Sequence, residues 1–134
     1  MAISQSSPKR SRRRGAAAVE FAMIAPLFCC LFMGFIEFGR MVMVQQVLVN
    51  VARVGARSAI LAGVTPAQAE TVMSNYLTSA GINGATTSVS PTNAGSGTAV
   101  TVTVSVPCSK VAWTGSLTWF NGSTLTSTVV MIHE

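Results

Sequence analysis

The sequence predicts an α+β protein. It has a long N-terminal helix that is transmembrane in its first half, a second short helix and a small antiparallel β-sheet domain. Three observations carry this. From Ala16 to Gly39 the only charged residues are Glu20 and Glu37. From Val44 onward apolar residues recur at helical spacing. From Ala99 to Pro107, "AVTVTVSVP" alternates between valine and hydroxyl-bearing residues.

The first helix is read from its apolar run. A membrane span needs about 20 mostly apolar residues, and Ala16–Gly39 supplies them. A buried soluble helix has a similar composition but fits poorly in a chain of 134 residues. The chain is 49% hydrophobic and only 10% charged, with a net charge of +5. That excess is local. Lys9, Arg10, Arg12, Arg13 and Arg14 precede Gly15, whereas Arg40, Arg53, Arg57 and Lys110 are balanced by Glu20, Glu37, Glu70 and Glu134. Basic residues beside an apolar helix stay cytoplasmic, so the N-terminus is expected inside and the C-terminus outside. Nucleic-acid binding is not expected, because no recognition-helix or aromatic pattern accompanies the arginines. Residues 1–14 are polar and serine-rich and are expected to be disordered. A secretory signal has its small-residue cleavage site after the apolar region. Here no such site follows Phe38, and the small residue, Gly15, comes before the run. A cut at Gly15 leaves the apolar segment on the mature protein.

The helix continues past the membrane. Val44, Val47, Leu48, Val51, Val54 and Gly55 follow helical spacing, with Gln46, Asn50, Arg53 and Arg57 on the opposite face. Small residues Ala52, Gly55, Ala56 and Ala59 allow close helix packing. The helix is expected to end near Ala62, with Gly63 as its stop. From Ala16 this gives an element of about 70 Å, at about 1.5 Å per residue. Pro26 removes one backbone hydrogen bond and predicts a kink or local melting there.

The second helix is signalled by Thr65 as N-cap, Pro66 at the first helical position and Gln68 completing a capping box. Ala69, Val72, Met73, Tyr76, Leu77 and Ala80 make its apolar stripe, and Gly81 ends it. The stripe needs a partner, either the outer half of the first helix or the following sheet. Turn signals at 83–84 and 91–97 then bracket strands at 86–90 and 99–107, with a closing strand at 123–134. Residues 113–122, "WTGSLTWFNG", hold both tryptophans and read as a loop or hairpin.

Catalytic chemistry is not expected. The single histidine, His133, is next to the C-terminus, and the four acidic residues are scattered glutamates. Hydrolytic work needs paired acids or a nucleophile beside a base. No metal-ligand spacing and no glycine-rich phosphate loop is present, so neither a metal nor a cofactor is expected. Three cysteines give no disulfide framework. Cys29 and Cys30 read as small hydrophobes, and Cys108 as a buried free thiol. Two readings of Glu20 stand side by side. It is an interfacial carboxylate favoured by the helix dipole, or it has a specific partner, such as an α-amino group created by a cut before Ala16. For Glu37, an i, i+3 ion pair with Arg40 is preferred over a subunit contact.

"RRRGAAAVEFAMIAPLF" followed by "GFIEFGRMVMVQQVLVNVARVGARSA" resembles the TadE-like family, the small pseudopilins of the tight-adherence, Flp-type and type IV-like pilus. The shared order is a glycine, four small or apolar residues, Glu-Phe, a proline, a second glutamate before Gly-Arg, a Gln-Gln pair and "AR..AR". The resemblance implies that a membrane aspartic prepilin peptidase cuts Gly15–Ala16 on the cytoplasmic side. Glu20 becomes the fifth mature residue and, with Phe21, serves processing and subunit register. The small-residue face of Ala52, Gly55, Ala56 and Ala59 becomes available to neighbours.

The expected organisation is a cleaved leader (1–15), the long helix (16–62) and an extracytoplasmic α+β domain (63–134). The expected function is that of a minor pseudopilin in pilus assembly, since major subunits of this system are usually much shorter. The expected partners are the peptidase, other pilins and pseudopilins, the inner-membrane assembly platform and membrane lipid. The expected location is the bacterial inner membrane or the pilus itself. The alternative is an unprocessed single-pass protein whose outer domain is a binding module. A plain anchor has no need of the glycine-plus-glutamate arrangement, which favours the first reading.

Overall fold

Lysine, arginine and alanine are strong helix formers. In the computed structural model the first helix, α1, already begins among the basic residues before Gly15 and runs without a break from Lys9 to Ala59. Residues 9–14, expected to be irregular, are therefore helical. The structure describes the backbone of residues 9–61, 63–92, 95–112 and 122–133, and side chains from residue 15 onward. The expected end at Ala62 is also corrected. Regular α-helix stops at Ala59, and Leu61 N–H bonds the Ser58 carbonyl three residues back. Such tightening is common in a last turn. Gly63 follows with φ of +84°.

The chain divides between Ile36 and Glu37 into two compact units. In the first, residues 15–36 of α1 are exposed all round, with only Ala25 half-buried. Phe21, Met23, Leu27, Phe28, Phe32 and Phe35 all stand out into the surroundings. A helix apolar on every side is suited to lipid or to packed neighbours, not to water.

The second unit, from Glu37, holds the remaining elements. Helix α2 spans Pro66–Ser79 and starts as its cap predicts. The Gln68 backbone N–H donates to Thr65 Oγ1, and the Thr65 N–H donates to Gln68 Oε1 at 2.8 Å. It ends in a Schellman motif. Gly81 has φ of +72°, its N–H bonds the Thr78 carbonyl, and the Ile82 N–H bonds the Leu77 carbonyl. Strands β1 (Thr86–Ser90), β2 (Ala99–Pro107) and β3 (Thr124–Ile132) form an antiparallel sheet in the order β1-β2-β3. The closing strand is thus shorter than the expected 123–134. A four-residue helix, α3 (Cys108–Val111), follows β2 and was not foreseen. The expected loop or hairpin at 113–122 lies, but for Gly122, outside the described residues.

One core joins these elements. Val44, Leu48, Val51, Ala52, Ala56 and Ala59 of α1 meet Ala69, Met73 and Leu77 of α2 and Val100, Val102, Val104 and Val106 of β2. The stripe on α2 therefore uses both expected partners. It is also narrower than expected. Val72 and Tyr76 are 42% and 41% exposed, which leaves a row at i, i+4 and i+8 inside. On α1, Val54 likewise faces outward, while Gln46, Asn50, Arg53 and Arg57 are exposed as their spacing predicts. Strand β2 turns its four valines inward, with Val89, Val102 and Val129 in one row across the three strands. Its other face carries hydroxyls, among them Thr103 and Thr128 at 3.4 Å.

Candidate functional site

The sequence-selected residues fall on α1 in three groups. The first is Gly15, Ala16, Glu20 and Phe21, all exposed. A Cβ at Gly15 would meet nothing within 4 Å, and its φ is not positive. The fold of this chain therefore does not require glycine there. Glu20 stands one turn later among apolar neighbours, and no hydrogen bond or ion pair reaches it from the described residues. A carboxylate in an apolar helix is expensive and ordinarily functional. Between Gly15 and Ala59, α1 is long and apolar enough to cross a membrane.

The second group is Glu37 and Arg40. Glu37 is buried to 9% exposure, and its Oε1 has no hydrogen-bond partner among the described residues. Half-buried Arg40 donates from Nε to the Val111 carbonyl at 2.6 Å. That bond ties α1 to α3 across 71 positions of sequence. An acceptor as buried as Glu37 Oε1 carries a desolvation cost that a donor would remove.

The third group is the small-residue face. Ala52 and Ala56 are fully buried, Ala59 is buried, and Gly55 is buried against α2. A Cβ on Gly55 would come within 2.2 Å of Met73 Sδ. These residues thus pack against the chain's own second helix and sheet. Their contact is internal, and the neighbour-facing role implied by the resemblance is not where this fold puts them.

Several contacts escaped the sequence reading. Gln45 donates from Nε2 to the Thr126 carbonyl at 3.2 Å, and Lys110 on α3 approaches Gly84. No local pattern announces either, because each joins segments far apart in the chain. Cys108 is buried and free, whereas Cys29 and Cys30 are exposed on the apolar half of α1. Among the described residues no group of three His, Cys, Asp or Glu side chains converges as a metal site.

Residues 15–57, about a third of the chain, match the family model of the TadE-like proteins. Neither a curated protein nor a solved structure matches the chain. The matched stretch contains Gly15, Glu20, Glu37, Arg40 and the small residues up to Ala56, and stops just short of Ala59.

Proposed function

Over residues 15–57 the chain is TadE-like, and from that premise we propose that it is a minor pseudopilin of the tight-adherence pilus system. Prepilin peptidase cuts it between Gly15 and Ala16, and the mature subunit takes part in pilus assembly without enzymatic activity. The observation that carries the proposal is the arrangement at the head of α1. Basic residues end at a glycine that the fold itself does not need, and a carboxylate follows five residues later in an apolar helix. A peptidase pocket that rejects side chains gives Gly15 a reason. The new α-amino group of Ala16, from the same or a neighbouring subunit, gives Glu20 a partner of opposite charge.

The exposed apolar surface of α1 supports lodging in the inner membrane, and the basic residues before Gly15 support a cytoplasmic N-terminus. Other pilins, pseudopilins and the assembly platform are the partners that this surface and Glu20 would engage. The unfilled Glu37 acceptor suits a donor from a packed neighbour.

The test is the intact mass of the protein from the membrane fraction of its native cell. A chain beginning at Ala16 is expected, and Glu20→Ala is expected to abolish assembly. A chain that keeps its arginines beside an active prepilin peptidase rules the proposal out. It would favour an unprocessed anchor whose outer domain is a binding module.

A further inference from the structure

Two side-chain polar atoms, Glu37 Oε1 and Gln45 Oε1, are buried without a hydrogen-bond partner among the described residues. Only the first belongs to a charged group. Its expected partner on the same helix is engaged elsewhere, since Arg40 donates from Nε to the Val111 carbonyl. Glu37 is 9% exposed and only its Oε1 is fully enclosed, so the second oxygen stays open to a donor from outside. Arg53 and Arg57 on α1 have the opposite need. Both are exposed, and neither forms a hydrogen bond or ion pair with the described residues. They cannot reach Glu37 of their own chain. At about 100° per residue they stand about 160° and 200° round the helix from it, and about 24 and 30 Å further along. Glu37 shares its side of α1 with buried Leu48 and Val51, whereas both arginines face out.

We propose that the Glu37 carboxylate receives the Arg53 guanidinium of a second copy of this chain, with Arg57 of that copy one turn further on the same face. Charge selects the occupant. A carboxylate buried without a donor is costly, and a guanidinium fork supplies two parallel donors to it. Donor and acceptor lie on opposite sides of α1, so the contact is head-to-tail. Each copy gives its arginines to one neighbour and its glutamate to another. A contact of this kind does not close in a pair but continues into a ring or an open helical series. The two α1 helices run the same way, displaced by about 24 Å, the rise from Glu37 to Arg53. The proposal rests on the reading of the chain as an assembling subunit, but not on cleavage at Gly15. It uses only residues of the second unit.

The full chain is made with two different tags and purified in mild detergent at low salt. Self-association is followed by sedimentation and by co-purification of the tags. The wild type is expected to form species larger than a dimer as its concentration rises. Glu37→Gln, which keeps the side chain's shape, is expected to weaken association by roughly tenfold or more. The double variant Arg53→Gln/Arg57→Gln is expected to do the same. Each variant retains the half of the contact that the other lacks, so a mixture of the two is expected to form pairs but no longer series. A role confined to the fold of one chain gives no such pairing. A wild type that stays monomeric would overturn the proposal. So would unchanged association in both variants, or a mixture that fails to pair while circular dichroism shows both folded. None of these groups is near Gly15, so the outcome is the same for cut and uncut chains and is separate from the mass measurement.

Discussion

A methyl group on Gly55 would lie 2.2 Å from Met73 Sδ and 2.6 Å from its Cγ. Two opposing effects follow. Alanine is favoured over glycine inside a helix by about 1 kcal/mol. Overpacking a filled core costs about 1–3 kcal/mol. Because the clash reaches Met73 Cγ as well as the end of the side chain, the second effect is expected to win. Gly55→Ala should destabilise the protein by about 1 kcal/mol. In a Met73→Ala background the clash is gone, and the same change should stabilise by about 1 kcal/mol. Thermal unfolding of the four proteins in detergent gives the sign. The same sign in both backgrounds would show that Met73 does not set the glycine requirement.

At the scale of elements, α2 depends on its two ends. Its interior row of Ala69, Met73 and Leu77 is short, and its outward face carries Val72 and Tyr76. The reciprocal bonds of Thr65 and Gln68 fill donors that the first turn leaves empty. Thr65→Ala is expected to cost about 1 kcal/mol, and Thr65→Ser much less, because the hydroxyl is kept. Gly81→Ala is expected to cost about 1–2 kcal/mol, since an L side chain is disfavoured at its positive φ. Denaturant melts of these three variants check the order. An unaffected Thr65→Ala would mean that packing against α1 and the sheet holds α2 without its cap. Strand β2 lies between β1 and β3 and buries four valines, so the sheet has its interior in its middle strand. At Val102 both neighbours in the row are valines, which leaves little room for rearrangement.

For the whole molecule, the proposed orientation with the N-terminus inside rests on charge. The excess of positive charge sits before Gly15, and the rest of the chain balances. Replacing Lys9, Arg10, Arg12, Arg13 and Arg14 with glutamine should therefore weaken the inside location of the N-terminus. A C-terminal alkaline phosphatase fusion, active only outside the cytoplasm, should lose most of its signal in that variant. Full activity in the variant would place the orientation signal elsewhere, among the later residues. The charge-poor second unit relies on hydroxyl groups along its sheet for its polar surface. Its fixed positive charges then gather on α1 and at Lys110.

The sequence by itself determined whatever is local and periodic. The apolar run of α1, the cap at Thr65, the stop at Gly81 and the bounds of β1 and β2 all arise from residues within a few positions of one another. Helical spacing and strand alternation carry that information directly. The arrangement of Gly15 and Glu20 was legible for the same reason. The tertiary structure alone decided which parts of each stripe go inside. It turned Val54, Val72 and Tyr76 outward, put Gly55 under Met73, and brought Arg40 to Val111 and Lys110. It also made residues 9–14 helical and gave Cys108–Val111 a turn of helix. A periodic pattern names the face to be buried but not the partner that buries it. That partner comes from segments up to 81 positions away, whose approach is set by packing volume rather than by local preference.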